Sequence, residues 1–297
     1  MTGRLYAFGE VLWDVFPDAE VPGGAPMNVA LHAHQLGISA HIISALGHDA
    51  RGEKMRNWLH SRGVVTTSIA TVENLPTGTV AVDLNDPKNV RYRIESPVAW
   101  DKIPIFPAGV GQDDVVVFGS LSCRTDDNWS LLKQNLPGAG LRVLDLNLRA
   151  PFYAPGRVQA LLENCDLLKV NEEEFDELLS WFPAAGEIDD VVREWMKRFG
   201  FSQLCLTRGE RGAFFFTEDA RYESRNFAVD VVDTIGSGDS FLAALLAGRM
   251  LNHPIQQCLD EAAALGALVA ASKGANPPVN WGQIRAMVTA QSQSALA

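Results

Sequence analysis

Two rhythms of apolar residues run along this chain. Short, nearly unbroken apolar runs recur in "RLYAFG", "AHIISALG", "DVVVFGS", "LRVLDLN", "CDLLKVN" and "SQLCLTRG". Each predicts a strand of a parallel sheet covered on both faces, because such a strand has no polar side. Between them lie runs of helical period: "PMNVALHAHQLG", "ARGEKMRNWLHSRG", "NEEEFDELLSWF" and "IDDVVREWMKRFG". The first has Pro26 in its first turn and Gly37 just past its end, the usual punctuation of a helix. Strand and helix alternating over most of the chain predict a doubly wound α/β sandwich. "EVLWDVFP" and "TGTVAVDLNDPKNVRYRIES" alternate polar and apolar instead, the second around a turn at "NDPKN". They predict a small, mostly antiparallel sheet outside the main one, with segments near residues 10–20 and 77–100 acting as a lid. No repeat or linker divides residues 1–297, which read as one domain.

Composition narrows the function more than the fold. The chain has 297 residues and a net charge of −11, with no basic stripe. Nucleic acid and membrane are therefore not expected partners. An anionic ligand would need local positive potential. Cys123, Cys165, Cys205 and Cys258 are scattered without a CxxC pair, as in a protein of a reducing compartment. No signal-peptide core or transmembrane-length apolar run is present, so a cytoplasmic protein is expected. His32 and His34 stand two apart on a helix and face different ways, and no transition-metal spacing is readable.

Four stretches carry candidate chemistry. In "DTIGSGDSF" (residues 233–241), glycines bare successive N–H groups at a helix N-terminus, an anion hole with a carboxylate beside it. The same residues could be a glycine turn with Asp239 as an ordinary first-turn charge. No Lys follows as in a Walker loop, and Phe241 stands where a dinucleotide fingerprint needs glycine. In "PGGAPMNVALHAHQLG", Gly23 and Gly24 permit close backbone approach, and Asn28 offers a donor and an acceptor; a tight turn into a helix is the alternative. In "KVNEEEF", Asn171 and Glu174 have the spacing of a capping box, or of a polar pair organising water around Mg²⁺. "LTRGERGAFF" is either a hairpin turn or, through Thr207 and Gly209 at a strand end, a nucleotide dock. Arg149, trailing the strand "DLNLR", is a candidate phosphate ligand.

Taken together, "GGAPMNVALHAHQLG" and "DTIGSGDSF", in that order and far apart, resemble the two motifs of the ribokinase-like (PfkB) carbohydrate kinases. "NEEE", "TRGERG" and "KGANPP" fall where such kinases carry nucleotide and metal elements. The resemblance implies a three-layer α/β sandwich, with a central, mainly parallel sheet and a small β lid over a sugar. It implies that Asp239 is the base, that Gly236, Ser237 and Gly238 donate backbone N–H bonds to the phosphoryl group, and that Arg149 approaches the phosphates. Asp14, Gly24 and Asn28 would hold sugar hydroxyls. Thr207, Gly209 and Asn276 would lie along ATP, and Asn171 and Glu174 would position Mg²⁺-bound water. Backbone oxygens near Asp233, Ile235 and Gly274 would hold a monovalent cation such as K⁺. Lids of this kind commonly pair in homodimers.

"GEVLWDVFP", "PTGTV" and "SPVAWDKI" most resemble bacterial fructokinases, so the expected reaction is phosphorylation of D-fructose at its primary hydroxyl. Departures from the commoner pattern are Ser237, where alanine is frequent, and Trp13, Arg93 and Trp100 around the expected sugar pocket. Ribose or another hexose stays open as substrate, Arg93 keeps a sugar acid open, and Trp100 a nucleoside. A non-catalytic sugar sensor should have lost Asp239 or a glycine of the anion hole, and none is lost. A dehydrogenase is disfavoured by the missing fingerprint glycine.

Overall fold

A computed structural model describes residues 3–83, 91–224 and 227–294. The chain opens with strands β1 (Arg4–Phe8), β2 (Leu12–Val15) and β3 (Glu20–Gly23). Helix α1 (Ala25–Gln35), β4 (Ser39–Gly47) and α2 (Ala50–Ser61) follow. Next come β5 (Ile69–Val72), β6 (Gly78–Asp83), β7 (Arg91–Ile94) and β8 (Val115–Gly119). The middle of the chain alternates: α3 (Asp126–Asn135), β9 (Leu141–Asp145), α4 (Pro155–Leu162), β10 (Leu167–Asn171). Helices α5 (Glu172–Trp181) and α6 (Ile188–Phe199) lead to β11 (Gln203–Thr207), β12 (Ala213–Phe216) and β13 (Arg221–Ser224). Helices α7 (Ser237–Met250), α8 (Ile255–Ala270) and α9 (Trp281–Ser294) close the described chain. All six expected buried strands and all four expected helices are present.

The main sheet runs β13-β12-β11-β10-β9-β8-β1-β4-β5. Its pairs from β11 to β5 are parallel. β12 and β13 add an antiparallel edge, so "TRGERG" does turn a hairpin. Alternate residues of each strand enter opposite cores. Leu5 and Ala7 pack with residues of α1, α2, α7, α8 and α9, whereas Tyr6 and Phe8 pack with residues of α3, α4, α5 and α6. Each fully buried Leu or Phe contributes about 1.5–3 kcal/mol, and both faces are lined with them.

This topology fixes where a ligand can bind. From β1 the chain winds one way through β4 and β5, then returns to β8 and winds the other way. A crevice opens outside the carboxyl ends of strands at such a reversal. Glu10 follows β1, Ser120 follows β8, Asp145 ends β9 and Asn171 ends β10. The site is built there.

A separate four-stranded sheet, in the order β3-β2-β6-β7, forms the lid, as the alternating stretches predict. Two details differ from expectation. β2 and β3 pair antiparallel, as do β6 and β7, but β2 and β6 are parallel, with Asp14 opposite Val80. The chain reaches β6 only after crossing α1, β4, α2 and β5, and so long a crossover permits a parallel pair. β3 was not expected either, because its Pro22, Gly23 and the following Gly24 read as a turn. The "NDPKN" turn lies outside the described residues. Asp49 ties the lid to the main layer: its carboxylate caps α2 through Gly52 N (2.7 Å) and accepts from Thr77 N (2.8 Å) and Thr77 Oγ1 (2.7 Å), just before β6. None of the described helices is long and apolar enough to cross a membrane.

Candidate active site

The start of α7 forms the floor of the crevice. Gly236 sits at φ +78°, and a Cβ there would come within 2.6 Å of Ala275 Cβ, so glycine is required on two counts. With no side-chain cap, the first-turn N–H groups of Gly238 and Asp239 have no acceptor among the described residues, and the helix dipole adds positive potential there. The expected donor set needs a correction. Ser237 N donates to Thr234 O (3.2 Å), which closes the turn, so among the described residues the open donors here are Gly236, Gly238 and Asp239. Asp233 sutures this turn to a second loop, accepting from Ile235 N (3.0 Å) and from Gly274 N (3.2 Å).

Asp239 stands at the centre of a polar network. Its Oδ2 accepts from Asn28 Nδ2 at 2.8 Å, across 211 residues of sequence. Burial, helped by neighbouring Asp145, raises its pKa to about 7, although Asn28, Lys169 and Arg149 pull the other way. A carboxylate poised near 7 suits proton abstraction. Lys169 and Asp145, opposite each other on β10 and β9, form a buried ion pair at 2.8 Å. Burial opposes the Lys169 charge, but Asp145, Glu174 and Asp239 together hold its pKa above the usual range. Neither residue was singled out from sequence. The available signal was a charge in each of the apolar strands, Lys169 in "LLKV" and Asp145 in "RVLD".

From the lid, β2 supplies Asp14. Gly23, cross-strand to Leu12, makes room for it, since a Cβ on Gly23 would lie 2.3 Å from Asp14 Oδ2. Burial raises Asp14 to about 6, with Arg149 opposing. Gly24 caps α1 at φ +120°, where a Cβ would meet the Glu10 carbonyl at 2.3 Å. Glu10 itself is buried, accepts from Ser122 Oγ (2.8 Å) and is raised by burial. Arg149 is exposed, bonds only the Leu148 carbonyl (3.1 Å) and makes no ion pair among the described residues. Its charge nevertheless acts on Glu10, Asp14 and Asp239 together.

Three expected pocket residues lie elsewhere. Trp13 faces the core, opposite to Asp14, with its Nε1 bonded to Arg51 O (3.1 Å) and Lys54 over its ring. Alternation along β2 dictates that opposition. Trp100 is fully buried with Val98 and Leu121, beneath the Arg124 guanidinium 4.1 Å above its ring. It supports the root of the lid and offers no face to a ligand. Arg93 is 79% exposed and pairs with Glu95 (3.0 Å).

The far end of the crevice holds the residues expected along a nucleotide. Thr207 and Asn171 are register partners at the ends of β11 and β10, and Gly209 follows at φ +54°. Thr207 Oγ1 donates to Val170 O at 3.3 Å. Asn171 and Glu174 form a complete capping box, Glu174 N donating to Asn171 Oδ1 (2.8 Å) and Asn171 N to Glu174 Oε2 (3.0 Å). Glu174 Oε1 accepts from Leu148 N (2.9 Å), which joins the cap to the loop carrying Arg149. Among the described residues no group of three His, Cys, Asp or Glu could hold a metal ion. Asn276 joins another part of the site: its Nδ2 donates to Asn28 Oδ1 at 2.8 Å, so it backs the Asp239 network.

Comparison with known proteins agrees with this geometry. The family model described as pfkB family carbohydrate kinase matches residues 5–281. The chain is 27% identical to fructokinase-2 of Solanum lycopersicum, with 93% of each chain covered. It is 28% identical to the fructokinase of Salmonella typhimurium, covering 93% of this chain and 95% of that one. The crystal structure of fructokinase with bound ATP from Xylella fastidiosa superposes with a TM-score of 0.89 at 23% identity, covering 98% of this chain and all of that one.

Proposed function

The chain belongs to the pfkB family of carbohydrate kinases, and from that premise we propose that it transfers the terminal phosphoryl group of ATP to the primary hydroxyl of D-fructose, giving fructose 6-phosphate. The observation that carries the reading is Asp239: a carboxylate with a pKa of about 7, hydrogen-bonded at one oxygen, beside open N–H groups at a helix N-terminus. Asp239 takes the proton of the attacking hydroxyl. The N–H groups of Gly236, Gly238 and Asp239 stabilise charge on the transferring group. Asp14, Asn28 and the Gly24 backbone orient the sugar, and Arg149 meets the phosphates. Thr207 and Gly209 border the nucleotide.

Mg²⁺ would arrive with the nucleotide and neutralise its phosphates. Both Glu174 oxygens already accept backbone N–H bonds, so Asn171 and Glu174 would receive the ion's waters, not the ion itself. Carbonyl oxygens near Asp233, Ile235 and Gly274 are the donors a K⁺ ion would use, and Asp233 sets the spacing of those two turns. The lid's edge strands β3 and β7 are free to pair with a second copy in a homodimer. Four free, buried cysteines fit a cytoplasmic setting.

Charge favours a neutral sugar over a sugar acid. The Arg149 guanidinium, which makes no ion pair among the described residues, acts on three carboxyl groups, Glu10, Asp14 and Asp239, and Lys169 is spent on Asp145. A substrate carboxylate would enter among like charges. ADP release with Mg²⁺, ATP and a panel of sugars tests the reading: turnover should be highest with fructose. Asp239→Asn should lower kcat by roughly 10²–10⁴-fold while leaving fructose binding nearly intact. Turnover within a few-fold of the parent would refute it.

A further inference from the structure

The Asp239 network continues past the residues assigned above, into a part of the site with no role yet. Asn28 donates to Asp239 Oδ2 through Nδ2 and accepts from Asn276 Nδ2 through Oδ1, both at 2.8 Å. The polarity of this chain is forced. An ionised carboxylate only accepts, so Asn28 must turn its NH₂ to Asp239 and its oxygen away. That oxygen only accepts, so Asn276 must turn its NH₂ to Asn28.

The backbone holding Asn276 is clamped in turn. His32 lies one helical turn after Asn28 on α1, on the same face, and is fully buried. Its Nε2 lies 2.8 Å from the Ala275 carbonyl. A carbonyl cannot donate, so Nε2 carries the proton. Burial pushes the ring to about 4, which keeps it neutral and fixes that tautomer. Arg62 Nη2 donates to the Asn276 carbonyl at 3.0 Å. Ala275 is also the residue packed against Gly236. The loop at 274–276 thus touches the anion hole through Ala275 and reaches the base through Asn28, and α1 holds it in place.

We infer that Asn276 and His32 are positioning residues for the phosphoryl transfer: they lock Asn28 so that Asp239 is held at Oδ2 and presents Oδ1 to the sugar hydroxyl. The inference rests on the reading of Asp239 as the base. The other charged groups acting on Asp239 are Asp145, Lys169 and Arg149, and none touches Asn276 in the hydrogen bonds or ion pairs of the described residues.

The test exploits polarity. Asn276→Ala removes the lock and should lower kcat by about tenfold. Because the Asn28 bond lowers the Asp239 pKa, its loss should also move the acid limb of the kcat–pH profile up by roughly half a unit. Asn276→Asp keeps the shape but can only accept, so Asn28 must turn its NH₂ toward residue 276 and away from the base. It should be at least about tenfold worse than Asn276→Ala. His32→Leu should reproduce the Asn276→Ala profile, and His32→Gln, which retains an N–H donor, should recover most of the loss. Thermal unfolding and fructose titration of each variant separate these effects from misfolding. Asn276→Asp equal to Asn276→Ala with an unmoved acid limb, or His32→Gln no better than His32→Leu, would overturn the inference. An active Asp239→Asn would instead bring down the base assignment itself.

Discussion

A carboxylate kept near neutrality costs the fold something, and the cost is measurable at single residues. Asp239 titrates at about 7 in the folded chain against an ordinary 3.8. Its folded pKa is raised, so its contribution favours the folded state below about 4 and is lost as pH rises through 7. Asp239→Asn removes that loss. Its unfolding free energy at pH 8 should exceed the parent's by on the order of 2 kcal/mol, allowing for the partial exposure of the site. At pH 4 the difference should vanish, which denaturant titrations at the two values check. Asp14, at about 6, carries the same sign with a functional readout. In the proposed role it holds hydroxyls as a carboxylate, so the KM for fructose should rise as pH falls through 6, with little change in the KM for ATP. In Asp14→Asn the KM should be high and flat with pH. A parent KM that is itself flat from pH 8 to 5 would remove Asp14 from the sugar site.

At the scale of elements, helix starts and strand ends carry the chemistry. Gly236→Ala puts a methyl group 2.6 Å from Ala275 Cβ at a backbone angle that disfavours it. It should cost about 1–3 kcal/mol of stability and lower kcat with a near-normal fructose KM, as unfolding and steady-state kinetics would show. These elements were legible in sequence to the extent that local pattern encodes them. The buried strands, the α1 and α7 glycines and the lid's alternation all stand in "GGAPMN", "DTIGSGD" and "TGTVAVD". What alternation does not encode is strand direction, which is why the parallel β2–β6 pair was missed. Side-chain periodicity alone also leaves open which neighbours surround a large aromatic, and Trp100 proved to be lid support. The bond of Asn276 to Asn28 is illegible for the same reason, since the two are 248 positions apart in the chain.

The whole molecule explains why the site is acidic. A net charge of −11 surrounds a crevice that already contains Glu10, Asp14 and Asp239. An anionic sugar meets both the local and the long-range field. A sugar acid of matching chain length should show kcat/KM at least about tenfold below that of fructose, a gap that narrows as salt screens the outer charges. Comparable efficiencies at low salt would point to a different substrate class.

The clamp between α1 and the loop at 274–276 also bears on synthesis. The carboxylate, its glycines and the helix behind them are all translated by residue 250, yet the amide that orients Asn28 comes from residue 276. A nascent chain therefore carries a complete-looking catalytic loop for some time before that loop is set. Unfinished chains would have the base without the amide that aligns it.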